Sequence, residues 1–240
     1  MIRDLSDLNL RGILLDIEGT TTPIAFVHDV LFPFARARVK EFLKANSKAE
    51  PVVRDIAMLR AEHRTESDAP ALTESSDSII DYIYWLMDRD RKSTGLKSLQ
   101  GKIWEQGYRD GELRAEVFPD VPPAMRRWRA ANLRVAIFSS GSVLAQQLLF
   151  AHTNAGDLTA LIDEYFDTTT GPKTDAESFR RIAAQLELKA SEILFISDVM
   201  AELDAADEAG MKSVLCMRPG NQVVQESEGR RIIRSFDGIG

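Results

Sequence analysis

Three short apolar runs in this chain end abruptly at polar residues and a turn. The first, Gly12-Ile13-Leu14-Leu15, leads into Asp16-Ile17-Glu18-Gly19-Thr20-Thr21-Thr22-Pro23. The second, Leu133 to Phe138, leads into Ser139-Ser140-Gly141-Ser142, and the third, Ile193 to Ile196, into Ser197-Asp198. Apolar runs without polar alternation suit strands buried on both faces, the strands of parallel sheets covered by helices. Ser213-Val214-Leu215-Cys216 reads as a further strand, closed by Arg218-Pro219-Gly220. Helical patterns lie between the runs, over Ala124 to Ala131, Val143 to Phe150 and Asp175 to Leu186. The pattern predicts an α/β fold, a doubly wound parallel sheet of Rossmann type. Ligands in such sheets bind beyond the carboxyl ends of the strands, where all these polar residues fall.

The first strand is separated from the second by a long helical insertion. Asp29 to Lys44 carries Val30, Leu31, Phe34, Val39, Phe42 and Leu43 at three- and four-residue steps, which predicts an amphipathic helix. Pro51 suits a helix start, and Val52, Val53, Ile56 and Leu59 supply its apolar face. Arg64 to Thr73 reads as a loop. Ser75, Ser76 and Asp77 offer caps for a third helix containing Ile79, Ile80, Ile83, Trp85, Leu86 and Met87, and a fourth covers about Leu96 to Tyr108. The expected organisation is a core of residues 1–22 and 117–240 with a helical cap of residues 23–116. Val117-Phe118-Pro119-Asp120-Val121-Pro122-Pro123 reads as the loop that resumes the core.

A chain of 240 residues with 44% hydrophobic and 28% charged residues can bury a substantial core. Its net charge of -7, without a basic run, argues against nucleic acid or an anionic membrane as partner. An anionic substrate then needs local cations and backbone N–H groups, since the overall field does not attract it. Cys216 is the single cysteine, so no internal disulfide can form and a reducing compartment is expected. No apolar run approaches the roughly 18 residues needed to cross a bilayer. Met1-Ile2-Arg3-Asp4-Leu5 lacks a signal-peptide pattern, which points to a cytoplasmic location.

Residues two apart on a strand face the same way, so Asp16 and Glu18 share one side if the extended backbone continues past Leu15. Two unit charges about 4 Å apart repel by roughly 4 kcal/mol at an effective dielectric of 20. A hard divalent cation such as Mg²⁺ relieves that repulsion, and Asp16 is then a candidate nucleophile toward phosphorus. The plain alternative is a strand end with two solvated acids. Ser139 and Ser140 place hydroxyls at a strand-to-helix junction suited to phosphate; the alternative is ordinary helix capping by Ser140 or Ser142. Lys173 follows Thr170-Gly171-Pro172 on a stiff turn and reads either as a phosphate counter-charge or as a solvated lysine. Asp198 repeats the Asp16 pattern as a metal ligand. Glu202 either faces the site from the next helix or is an acid favoured by that helix's dipole. Cys216 reads as a packed core thiol. His28, His63 and His152 lack metal-ligand spacing, and His28 has no assigned role. Tyr82, Tyr84, Trp85, Trp104 and Tyr108 are candidates to touch an apolar substrate tail, with most of them reading as core of the insertion.

Asp16-Ile17-Glu18-Gly19-Thr20 resembles the first motif of the haloacid dehalogenase superfamily, usually Asp-x-Asp-x-Thr, with Glu in place of the second Asp. The longer stretch Leu15 to Ile24, with Phe26-Val27-His28-Asp29-Val30-Leu31-Phe32-Pro33, is similar to the enolase-phosphatase family of methionine salvage, in which Glu is usual at this position. The resemblance spans nearly the whole chain. It implies Asp16 as nucleophile, Glu18 as acid and base, Lys173 as the charge balancing nucleophile and phosphate, and Ser139 and Ser140 on the substrate phosphate. It also implies one Mg²⁺ per chain held by Asp16, Asp198 and the main-chain carbonyl of Glu18. The implied reaction takes a small phosphorylated substrate, 2,3-diketo-5-methylthiopentyl-1-phosphate, through enolisation and dephosphorylation to a dihydroxy acireductone. The implied enzyme is a monomer. A phosphatase of the same superfamily acting on another ester would share the core residues. A dehalogenase would not need the pair of acids around a metal. A receiver-type signalling module, which also uses a phosphorylatable Asp and Mg²⁺, is about half this length and lacks the insertion.

Overall fold

The computed structural model describes residues 9–239 except 74, 92 and 222–228. Met1 to Leu5 therefore lie outside the described residues. The chain divides into two compact units, one of residues 1–27 and 114–240, the other of residues 28–113.

Six parallel strands form the sheet of the first unit: β1 (Gly12–Leu15), β2 (Arg134–Phe138), β3 (Glu164–Phe166), β4 (Ile193–Ser197), β5 (Lys212–Cys216) and β6 (Ile232–Ile233). Their spatial order is β3-β2-β1-β4-β5-β6, which puts β1 at the centre, where the order of connection reverses. Leu15 is level with Ile137 on one side and Ile196 on the other. Every residue of β1 and β4 is buried, as expected of strands that read as unbroken apolar runs. Because all six strands are parallel, Asp16, Ser139, Asp167 and Asp198 leave the sheet at the same edge.

The helices of this unit that flank the sheet follow the same pattern. Alternate strand residues Leu14, Ala136, Phe138, Phe195 and Leu215 pack with Phe179 and Ile182 of one helix and Leu203 and Ala206 of another. The rings of Phe138, Phe179 and Phe195 form an edge-to-face series with centroids 5.5 and 5.0 Å apart.

The second unit begins inside a six-residue π-helical turn, Phe26–Leu31, which passes into α1 (Phe32–Asn46). The single helix expected over Asp29 to Lys44 is thus two pieces. Pro33 lacks the N–H that a continuous α-helix would direct to Asp29, so the hydrogen-bond register changes there. Next come α2 (Glu50–His63), α3 (Ser76–Asp88) and α4 (Thr94–Arg109). Ser75 caps α3 by accepting from Asp77 N, and Ser93 caps α4 by accepting from Leu96 N. Tyr82, Trp85 and Tyr108 are buried in this unit, and Trp104 donates its indole N–H to Leu31 O at 2.9 Å. His28 is exposed, with its ring edge-on to Phe32.

Four helices accompany the later strands: α5 (Val121–Ala130), α6 (Val143–Ala151), α7 (Ala176–Gln185) and α8 (Met200–Glu208). Pro122 and Pro123, expected to mark a loop, lie in the first turn of α5. Proline has no N–H to give, and the first turn of a helix needs none, so the pair starts the helix instead of breaking it. Strands β3 and β6, only three and two residues long, carry no run long enough to stand out in the sequence.

Candidate active site

Asp16 sits one residue beyond β1, and its N–H bonds to Ile196 O of β4 at 3.0 Å. The chain then closes on itself. Thr20 N, Thr21 N and Thr22 N all donate to Ile17 O at 3.2, 3.0 and 2.9 Å, and Gly19 N donates to Thr22 O at 2.8 Å. Thr21 Oγ1 donates back to Asp16 O at 3.2 Å. This loop needs a left-handed residue at Gly19, whose φ is 68°. A Cβ there would meet the Asp198 carboxylate, so the loop after β1 and the acid after β4 touch at Gly19. Glu18, half-buried, precedes that glycine. The N–H and C=O of one peptide point in opposite directions, so the Gly19 N–H bond turns the Glu18 carbonyl away from Thr22.

Lys173 reaches the same place from the loop between β3 and α7. Its Nζ lies 2.5 Å from Asp16 Oδ1 and 2.7 Å from Glu202 Oε2, with its side chain 9% exposed. The ammonium also stands 5.7 Å from the centroid of the Phe138 ring. Gly171 allows the loop to approach, since a Cβ there would strike Ser178 Oγ of α7. Glu202, in the first turn of α8, also accepts from Ser197 Oγ at 2.9 Å. Of the two placements left open for Glu202, the carboxylate takes the one that faces the lysine of the site.

Charge and burial act together on these groups. Burial works against the charge on Lys173, but the Asp16 and Glu202 carboxylates outweigh it and hold its pKa above the usual lysine value. Burial, with the neighbouring Asp16 charge, pushes the Asp198 carboxyl up to about 7. Burial and Asp16 also raise Glu202, although Lys173 and Ser197 oppose them. Asp16, Asp198 and Glu202 around Lys173 leave an excess of two negative charges when all are ionised. A divalent cation fits that excess. Among the described residues, no group of three or more His, Cys, Asp or Glu side chains could hold a metal ion. The Asp16 and Asp198 carboxylates are hard oxygen donors of the kind that suits Mg²⁺.

The serine junction resolves into separate roles. Ser142 caps α6 by accepting from Ala145 N at 3.3 Å. Ser139 is buried beside the sheet, with its N–H on Phe166 O and its hydroxyl accepting from Gly141 N at 3.2 Å. Ser140 is exposed at the strand end. Val143 N is already bonded to Asp167 Oδ2 at 3.2 Å, so this helix N-terminus offers an anion less than its bare N–H groups suggest.

Comparison with known proteins places this arrangement. A family model of haloacid dehalogenase-like hydrolases matches residues 10–210. A protein of Synechococcus elongatus named enolase-phosphatase E1 is 52% identical over 233 residues, covering 96% of this chain and 98% of its own length. This chain belongs to the enolase-phosphatase family of haloacid dehalogenase-like hydrolases. An enolase-phosphatase E1 of Sorangium cellulosum is 46% identical over 98% of this chain and 99% of its own. Among solved structures, the UTR4 protein of Saccharomyces cerevisiae is 35% identical, with a TM-score of 0.81 over 96% of this chain and 100% of that one. CbbY of Rhodobacter sphaeroides, solved in complex with phosphate, is 16% identical at a TM-score of 0.60, which is a likeness of fold. Membership makes this enolase-phosphatase homologue an enzyme of the hydrolase class, as its sequence motifs imply. No helix among the described residues is long and apolar enough to cross a membrane.

Proposed function

We propose that this chain converts 2,3-diketo-5-methylthiopentyl-1-phosphate into 1,2-dihydroxy-3-keto-5-methylthiopentene and phosphate. The observation that carries the reading is the Asp16–Lys173–Glu202 constellation beyond the carboxyl end of the central strand, in a chain with enolase-phosphatase relatives. One Mg²⁺, held by Asp16, Asp198 and the Glu18 carbonyl, would supply charge stabilisation at the phosphoryl and carbonyl oxygens.

The residues divide the work. Lys173 fixes Asp16 Oδ1 and neutralises charge on the incoming phosphate. Its raised pKa keeps it protonated near neutrality, so it does not take the carbon-bound proton. Ser139 and Ser140 orient the phosphate. Enolisation moves a proton from the phosphate-bearing carbon to the adjacent carbonyl oxygen; Asp16 then attacks phosphorus and the P–O bond to the enol breaks, while protonated Glu18 gives its proton to the leaving oxygen. Glu18, now a carboxylate, takes a proton from the water that attacks the aspartyl-phosphate. Phosphate leaves and Asp16 is restored. The second unit is the cap domain, and the enzyme works as a cytoplasmic monomer.

The test supplies the diketone phosphate with Mg²⁺ and follows enediol absorbance and free phosphate together. An enol intermediate that precedes phosphate release is expected. Phosphate release without it would reduce the reading to a phosphatase for another ester.

A further inference from the structure

We propose that Asn221, with Arg218 beside it, is a positioning residue for Glu18, so that the turn after β5 belongs to the active site. The inference rests on the acid–base role given to Glu18. Its basis is a row of three carbonyls. Gly19 O accepts from Asn221 Nδ2 at 2.9 Å, Thr20 O from Arg218 Nε at 3.0 Å, and Thr21 O from Phe118 N at 3.0 Å. The N–H groups of the same loop are used internally, on Ile17 O and Thr22 O. The loop is therefore held from inside by its donors and from outside by its acceptors.

Arg218 is an anchor rather than a tether. Its guanidinium meets both Asp120 oxygens at 2.9 Å and is sandwiched between the rings of Phe118 and Phe236, 4.5 Å from each centroid. Paired with Asp120 and lying against both rings, Arg218 ties Thr20 O to the body of the unit. Asn221 makes the smaller contact, but on the carbonyl of Gly19, the residue that follows Glu18. Its other bond goes to Cys216 O at the end of β5, which ties it to the sheet. Gly19 is also where the Asp198 carboxylate rests, so a shift of this peptide moves Glu18 against the acid opposite. A misplacement of about 1 Å in a reacting group can lower a rate a hundredfold.

The test compares Asn221→Ala and Asn221→Leu, the latter keeping the volume without the donor, alone and combined with Glu18→Gln. Phosphate release is measured on the diketone phosphate and on p-nitrophenyl phosphate. We expect each Asn221 variant to lower kcat about tenfold on both substrates, with KM within twofold and Tm within about 3 °C of the parent. We further expect less than a twofold additional loss in the Glu18→Gln background, because the group being positioned is gone. A full tenfold loss in that background, or a loss traced to a large fall in Tm in both variants, overturns the proposal. If Glu18→Gln alone leaves hydrolysis unchanged, the acid–base reading fails instead, and the two failures remain distinct.

Discussion

Glu202 Oε2 is 2.7 Å from Lys173 Nζ, whose other partner is Asp16 at 2.5 Å, so one ammonium is shared between a nucleophile candidate and an acid of the opposite helix. The sharing keeps Lys173 charged and holds it in place between the two carboxylates. Without Glu202, Lys173 would pair with Asp16 alone and tighten on it.

Glu202→Gln is expected to lower kcat about tenfold while leaving an aspartyl-phosphate that can still be trapped. A helix acid acting through the dipole alone would cost at most about 1 kcal/mol of stability and leave kcat unchanged. Steady-state kinetics beside a melting curve separates the two outcomes.

Asp16→Asn is expected to abolish phosphate release, since the amide does not attack phosphorus. The change also removes a charge that raises Asp198, so the Asp198 pKa should fall. Phosphate assay and carboxyl NMR of the variant check both effects. Normal hydrolysis by this variant would remove the nucleophile assignment.

The sequence made Asp16 and Asp198 visible because each terminates an apolar run, and β1 and β4 are neighbours in the sheet. Lys173 stood out through the stiff Gly171-Pro172 turn before it. Glu202 did not separate from an ordinary helix-start acid, because its partner lies 29 residues away on another loop. Arg218 and Asn221 left no signal at all, since they act on backbone carbonyls about 200 residues distant and any loop sequence supplies a carbonyl. Pro122 and Pro123 misled because a proline pair marks a helix start as readily as a loop.

Gly19→Ala tests the contact between the two acid-bearing loops. The substitution forces a side chain into left-handed backbone, at about 1 kcal/mol, and against the Asp198 carboxylate. Asp198 has to move, so the Mg²⁺ concentration for half-maximal activity is expected to rise at least tenfold. An unchanged requirement, read from a Mg²⁺ titration of phosphate release, would place the metal elsewhere.

The raised Asp198 pKa gives a stability curve with a definite sign. A carboxyl whose folded pKa of about 7 exceeds its ordinary value of 3.8 binds more protons in the folded than in the unfolded state between those two pH values. Stability of the metal-free protein therefore falls as pH rises from about 4 to about 7, then levels off with respect to this group. With Asp198 as a ligand, Mg²⁺ would compete with that proton, and its affinity would rise over the same window to a plateau above about pH 7. A bound cation replaces the missing counter-charge, and its stabilisation is largest where the metal-free protein is weakest. Melting curves from pH 4 to pH 8 in EDTA should show this decline in the parent relative to Asp198→Asn, in which the other carboxyls titrate alike. The same series in Mg²⁺ should be nearly flat above about pH 6. Asp198→Asn removes the titrating group, so its EDTA series should lose the decline and its Mg²⁺ series should coincide with it. A decline that persists in Asp198→Asn would assign the pH dependence to another group.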